Sequence, residues 1–164
     1  MRLFTFMYLL LVSMSAGAIE QSQLVTMSDL AAIDISYSPD NESFETKKRL
    51  FFSELANYKY EDDELLLIST LQKNRSVSGK FAVTRFSIER VYEDFEFELE
   101  NSTFTYGTKS ELYSVIYNEV IVGSFFISQV EKYIFAFLIV GLTADDGFLE
   151  EVVRPKLVAL TENN

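Results

Sequence analysis

The chain opens with a basic residue, Arg2, followed by an apolar stretch from Leu3 to Val12 that only Thr5 interrupts. Ser13 to Ala18 is then a run of small residues apart from Met14, ending in Ala16-Gly17-Ala18. That order predicts an export signal cleaved after Ala18, because the peptidase pocket admits only small side chains at the positions of Ala16 and Ala18. The apolar block is too short to act as a membrane anchor, which needs ~20 residues. Residues 19–164 then read as one domain, with a polar lead-in from 19 to 29.

Beyond the lead-in the period changes several times. Ala31 to Ser38 alternates Ile33, Ile35 and Tyr37 with Asp34, Ser36 and Ser38, which predicts a strand. Pro39-Asp40-Asn41 ends it and offers Asp40 or Ser43 as the cap of a helix. Phe44, Phe51, Leu55 and Tyr58 follow at spacings of seven, four and three, with Lys47, Lys48 and Glu54 between them, so the helix is expected to run to about Tyr58. A meander comes next. Glu64 to Leu71 is a short apolar strand. Lys80 to Arg90 is read as a strand with a bulge where the phase slips between Val83 and Phe86. Val91 to Glu100 shows the clearest alternation, with Val91, Phe95, Phe97 and Leu99 on one face. Tyr92, Asp94, Glu96, Glu98 and Glu100 occupy the other.

Thr103 to Tyr106 and Leu112 to Tyr117 supply further strand material around Gly107. Asn118-Glu119 and Glu131-Lys132 read as tight turns leading into Val120 to Gln129 and Tyr133 to Leu142. Both segments are apolar on each face, as central strands are. The charges between them leave pieces too short to span a bilayer. Asp145-Asp146-Gly147 opens a C-terminal helix with an apolar stripe of Leu149, Val152, Val153, Leu157 and Leu160. Pro155 either kinks that helix or starts a second one after Arg154.

Tight turns between neighbouring strands make the class α+β. The expected layout is an antiparallel meander of five to six strands, packed on an N-terminal amphipathic helix and a C-terminal helix. In this element order the chain resembles the helix-grip, cystatin-like and PsbP-like groups, a likeness of layout that implies no activity.

Composition narrows the chemistry. The 164 residues include no cysteine, histidine or tryptophan, and 25 acids face 14 basic residues for a net charge of −11. Triads built on histidine, thiol nucleophiles, disulfides and the usual zinc ligand sets are therefore absent. An acidic chain is poorly suited to nucleic acid. Signal cleavage would remove one arginine and no acid, deepening the negative charge by one. Asn41, Asn74 and Asn101 head glycosylation sequons. Small eukaryotic secreted domains usually carry disulfides, so the missing cysteines favour a bacterial periplasmic or secreted protein whose sequons are unused.

Four groups of residues remain as candidates. Asp94, Glu96, Glu98 and Glu100 form an acidic strand face suited to a cationic protein partner. Phe95 and Phe97 lie on one expected strand and Phe125 and Phe135 on two others, where they would line a cavity for an apolar ligand or, more simply, pack the core. Glu61 to Glu64 reads as a solvated loop, and Asp145 with Asp146 as a helix cap. Paired carboxylates for glycoside hydrolysis would need one acid on an apolar face, and only Asp34 and Glu119 come near that. The sequence thus points to an exported, non-enzymatic binding domain without cofactor or metal. A carrier of an apolar ligand is the alternative, and a carboxylate hydrolase the third.

Overall fold

A computed structural model describes residues 19–31, 37–49 and 53–162. Its centre is one antiparallel sheet of seven strands in the order β1-β2-β3-β7-β6-β5-β4. These are β1 (Glu42–Arg49), β2 (Ser53–Glu61), β3 (Leu66–Lys73), β4 (Glu96–Leu99), β5 (Lys109–Tyr117), β6 (Val120–Val130) and β7 (Tyr133–Val140). Two meanders, β1-β2-β3 and β4-β5-β6-β7, meet where β3 pairs with β7. Helix α2 (Lys80–Val91) bridges them, preceded by the short helix α1 (Met27–Ala31). The chain closes with α3 (Asp146–Phe148), a wide π turn (Leu149–Val153) and α4 (Arg154–Glu162).

The sheet separates two cores. On one face Tyr58, Leu67, Leu71, Phe126, Phe135 and Phe137 pack under the 19–31 segment and the C-terminal helices. On the other, Tyr113, Val115, Phe125, Ile127, Ala136 and Leu138 pack under α2, which contributes Phe81 and Ile88. Both faces are covered along β7 and along β6 from Ser124 to Ser128, which explains why β7 is apolar throughout and β6 largely so. Their turns follow the same economy. Asn118 and Glu119 both take positive φ, the geometry that lets a two-residue hairpin match the twist of its strands.

The α+β class, the antiparallel sheet and the C-terminal helix stand as the pattern predicted. The strand number and the N-terminal helix do not. The described residues of the expected amphipathic helix are instead the antiparallel pair β1 and β2, in which Phe44 lies opposite Tyr58, and Phe51 lies outside the described residues. The apolar spacing that imitated helical turns is therefore a cross-strand pair, joined by a period of two along Ala56, Tyr58 and Tyr60. Conversely, Lys80 to Arg90 is helix, not strand. Phe81, Thr84 and Ile88 face inwards at spacings of three and four, whereas Val83 and Phe86 are exposed. The phase slip between Val83 and Phe86 was the helical period itself. The element order behind the helix-grip, cystatin-like and PsbP-like likeness is accordingly not the observed one.

Smaller differences follow. Strand structure in the 91–100 segment begins only at Glu96, after a turn through Tyr92 to Asp94, and Thr103 to Tyr106 is irregular. The 31–38 strand and the export signal, with Ala16 and Ala18, lie outside the described residues, apart from Ala31, which ends α1, and Tyr37 and Ser38. Pro155 does end one helical stretch. Its ring would collide with the carbonyl four residues back, and the preceding turn widens so that Leu149 accepts from the Arg154 N–H. Among the described residues no helix is long and apolar enough to cross a membrane.

Candidate functional site

The acidic face centres on β4, a four-residue strand at the end of the sheet. Its alternate residues have different tasks. Phe97 turns towards α2 and meets the Phe125 ring edge-on at 5.7 Å, while Phe95, just before the strand, meets Tyr117 at 5.8 Å. These ring contacts anchor the strand, each worth about 0.5–1.5 kcal/mol beyond the area it buries. The intervening Glu96 and Glu98 point to the opposite face and are exposed. Glu100 follows the strand. Its N–H donates to the Leu112 carbonyl at 2.9 Å, and its carboxylate accepts from the Ser114 hydroxyl. Asp94 sits in the turn before the strand, exposed, so the four acids form a ridge in which only Glu96 and Glu98 are strictly in register.

None of the four has an ion-pair partner among the described residues. Several basic side chains pair with other acids: Arg85 with Glu89 at 3.4 Å and Glu111 at 3.7 Å, Lys109 with Glu111 at 2.6 Å, and Lys156 with Asp29 at 3.0 Å. Arg85 also donates to the Tyr113 hydroxyl at 3.1 Å, which pins α2 to β5. The outer edge of β4 carries no further strand among the described residues. Beside it, the sheet row Glu96–Ile116–Ile121 leads from the acid to the tip of the β5–β6 hairpin. Tyr117, Val120 and Ile121 are all about half exposed there, at 48%, 59% and 56%. The sequence reading overlooked this apolar tip. Its signal was an apolar residue on each side of Asn118-Glu119, where hairpin ends are ordinarily polar.

Comparison with protein-family models, with curated proteins and with solved structures found no match to this chain.

The four phenylalanines are not brought to one place. Phe95, Phe97 and Phe125 belong to the α2 side of the sheet, whereas Phe135 belongs to the other side. Phe125 and Phe135 are fully buried, and Phe135 packs with Phe126 at 6.4 Å between ring centres. Shallow depressions among the described residues open to solvent. One of about 310 Å³ is lined by Ser43, Glu45, Asn57 and Lys59, and one of about 510 Å³ by Glu64, Ile121, Val140 and Leu142.

The other acidic clusters are structural. Asp62 accepts from the Tyr60 hydroxyl and from the N–H groups of Glu64 and Leu65 at 2.9 and 2.7 Å, contacts that hold its carboxyl below the usual range. It shapes the β2–β3 turn. Asp145 caps α3, accepting from the Phe148 N–H at 2.9 Å. Asp146 accepts from the Ser102 hydroxyl at 2.5 Å and from the hydroxyl and N–H of Thr103, which pull its pKa down to about 2. It ties the irregular 101–106 segment to the C-terminal helix. Glu119 is exposed in its turn, and Asp34 lies outside the described residues.

Proposed function

We propose that the protein is an exported, non-enzymatic binding module whose β4 edge receives a cationic, extended segment of a protein partner. The supporting observation is that, among the described residues, Glu96 and Glu98 stand in register without an ion-pair partner on a strand whose outer edge carries no further strand. Such an edge offers main-chain hydrogen bonds for affinity, and the side chains at alternate positions select the partner. Here those side chains select for lysine or arginine, and the neighbouring Tyr117, Val120 and Ile121 favour a partner that also brings apolar residues. The absence of cysteine and the leader-like first eighteen residues support a location in the bacterial periplasm or outside the cell.

The carrier reading has less support, because Phe125 and Phe135 are packed ring against ring on opposite faces. A carboxylate hydrolase needs an acid with a raised pKa. The carboxylates whose values depart from the ordinary range, including Glu45, Asp62, Glu111, Asp146 and Glu150, all depart downwards.

The test is calorimetric titration with an alternating Lys–Thr octapeptide. Binding should weaken steeply with salt and fall at least tenfold when Asp94, Glu96, Glu98 and Glu100 are all replaced by lysine. Replacing the exposed Asp40, Asp63, Glu151 and Glu162 by lysine makes the same change in net charge away from the edge. An equal loss in that control would refute the edge as the site.

A further inference from the structure

Ile19 lies in the larger core, 4% exposed, in the same cluster as Leu24, Val25 and Leu157. Its backbone nitrogen donates to Glu54 Oε1 at 3.0 Å, joining residues 35 positions apart. Lys48 on β1 and Lys73 on β3 stand directly opposite Glu54 in the sheet. Neither is ion-paired to it among the described residues, and Lys73 lies instead over the Tyr133 ring at 5.9 Å. The carboxylate of Glu54 is thus turned towards one backbone nitrogen, which in an uncleaved chain is a neutral amide.

Cleavage after Ala18 changes what that nitrogen is. Hydrolysis of the Ala18–Ile19 bond consumes one water, and the new carboxylate leaves on Ala18. The nitrogen stays on Ile19 and takes up a proton, since an α-amino group titrates at about 7.7–8.0. A single N–H donor becomes a cation with three.

We infer that Glu54 is the receptor for the mature amino terminus: removal of the leader turns the Ile19–Glu54 hydrogen bond into an ion pair that locks the N-terminal segment on β2. The inference rests on the export reading, specifically on cleavage after Ala18, and is independent of the acidic edge.

The locked segment matters to the fold. Its own Leu24, Val25, Met27 and Leu30 are wholly buried. The Val25 N–H donates to Ser69 Oγ at 3.1 Å and the Met27 N–H to the Tyr58 hydroxyl at 3.0 Å. Lys156 on α4 reaches the Ser22 carbonyl at 3.1 Å. A chain end without a tether frays first, so a charge-assisted bond at the first residue protects everything behind it. The precursor, which lacks the ammonium, is less stable than the processed protein.

Four proteins test this. Two begin at Ile19, released from a fusion by a protease that leaves isoleucine first, with Glu54 or with Glu54→Gln. Two retain Ala16-Gly17-Ala18 ahead of Ile19, again with and without Glu54→Gln. Glutamine keeps an acceptor, so the neutral hydrogen bond survives and the variants fold. In urea, Glu54→Gln should shift the unfolding equilibrium about fivefold more in the Ile19-first pair than in the extended pair. Both pairs lose the charge on the acceptor, but only the Ile19-first pair also loses the attraction between two opposite charges. Equal shifts overturn the ion pair. The α-amino pKa, followed by NMR in the Ile19-first proteins, should lie above 8 and fall on Glu54→Gln, with Glu20, Lys48 and Lys73 as the charged neighbours common to both. A value unmoved by the substitution also overturns it. Amino-terminal sequencing of the exported protein separates the two premises: a first residue other than Ile19 overturns the processing step and leaves the acidic-edge reading standing.

Discussion

Ser124 provides the sharpest test of how the sheet holds its C-terminal helices. Its side chain is 1% exposed on β6, and its hydroxyl accepts from the Ala144 N–H at 2.9 Å while donating to the Ala144 carbonyl at 3.3 Å. One hydroxyl therefore satisfies both main-chain groups of a residue that is itself 5% exposed. Ser124→Ala leaves those two groups without partners in a place that excludes water. Each buried unsatisfied group costs about 1–3 kcal/mol, with the longer carbonyl contact at the low end. Removing the hydroxyl's own desolvation returns part of this, so the net loss should be about 3 kcal/mol. For a chain of this size that corresponds to a fall in Tm of roughly 6–12 °C. Urea denaturation followed by circular dichroism should show a lower midpoint with an unchanged slope. Ser87→Ala is the control, because its hydroxyl back-bonds to the Val83 carbonyl at 2.8 Å on an exposed helix face. That change should stay within about 0.5 kcal/mol. A loss below 1 kcal/mol at Ser124, or one equal to the control, would refute the reasoning.

Asp146 predicts an acid transition. Hydrogen bonds from Ser102 and Thr103 hold its folded pKa at about 2, below the usual 3.8, so its contribution is complete above pH 4 and disappears as pH falls through 2. Solvent screening limits that contribution to about 1 kcal/mol. Urea midpoints of Asp146→Asn and the parent should differ at pH 5 and converge below pH 2. Gly123 predicts a steric limit on β6: an added Cβ would stand 2.0 Å from the Ile139 carbonyl oxygen and 2.9 Å from Val140 Cα. Neither contact is a side chain that can swing away. Gly123→Ala should therefore cost at least about 3 kcal/mol, read as loss of the cooperative urea transition, and a variant of parental stability would contradict the β6–β7 register.

What the sequence made legible followed from burial on both sides. Tyr133 to Val140 is apolar at every position and Val120 to Val130 mostly so, because β7 and the Ser124–Ser128 stretch of β6 have a core above and below them. The reading failed where one face alone is covered. In β1 almost every side chain is exposed, so Lys47, Lys48 and Glu45 look like a helix surface, and the pairing of Phe44 with Tyr58 is invisible to any local period. In α2 the covered stripe is only Phe81, Thr84 and Ile88, with Thr84 polar, while Val83, Phe86 and Val91 lie exposed at 59%, 60% and 72%. A helix with apolar residues on its outer face imitates a strand. For the acidic ridge, alternation placed Glu96 and Glu98 on one face. It did not show that the strand stops at Glu96, leaving Asp94 in a turn, nor that the strand is an edge, since strand order depends on pairings far apart in the chain.

The two edges of the sheet differ in a way that bears on function. Exposed edges invite pairing with other chains, and charged side chains are the common guard. On β1 the guard is self-neutralising: Glu45 and Lys47 share one face and pair with each other at 2.9 Å. Charge of either sign would serve that purpose, and β1 carries both. On β4 the acids are of one sign and no ion pair answers them among the described residues, whereas Lys59, Lys109 and Arg154 each pair with an acid elsewhere. Like charges in register cost stability rather than supply it. A second copy of β4 brought alongside would double that repulsion, whereas an extended basic segment would relieve it. On the proposed reading the same two glutamates would exclude the chain's own copy and admit a strand of opposite charge, a discrimination that the mixed charges of β1 would not make.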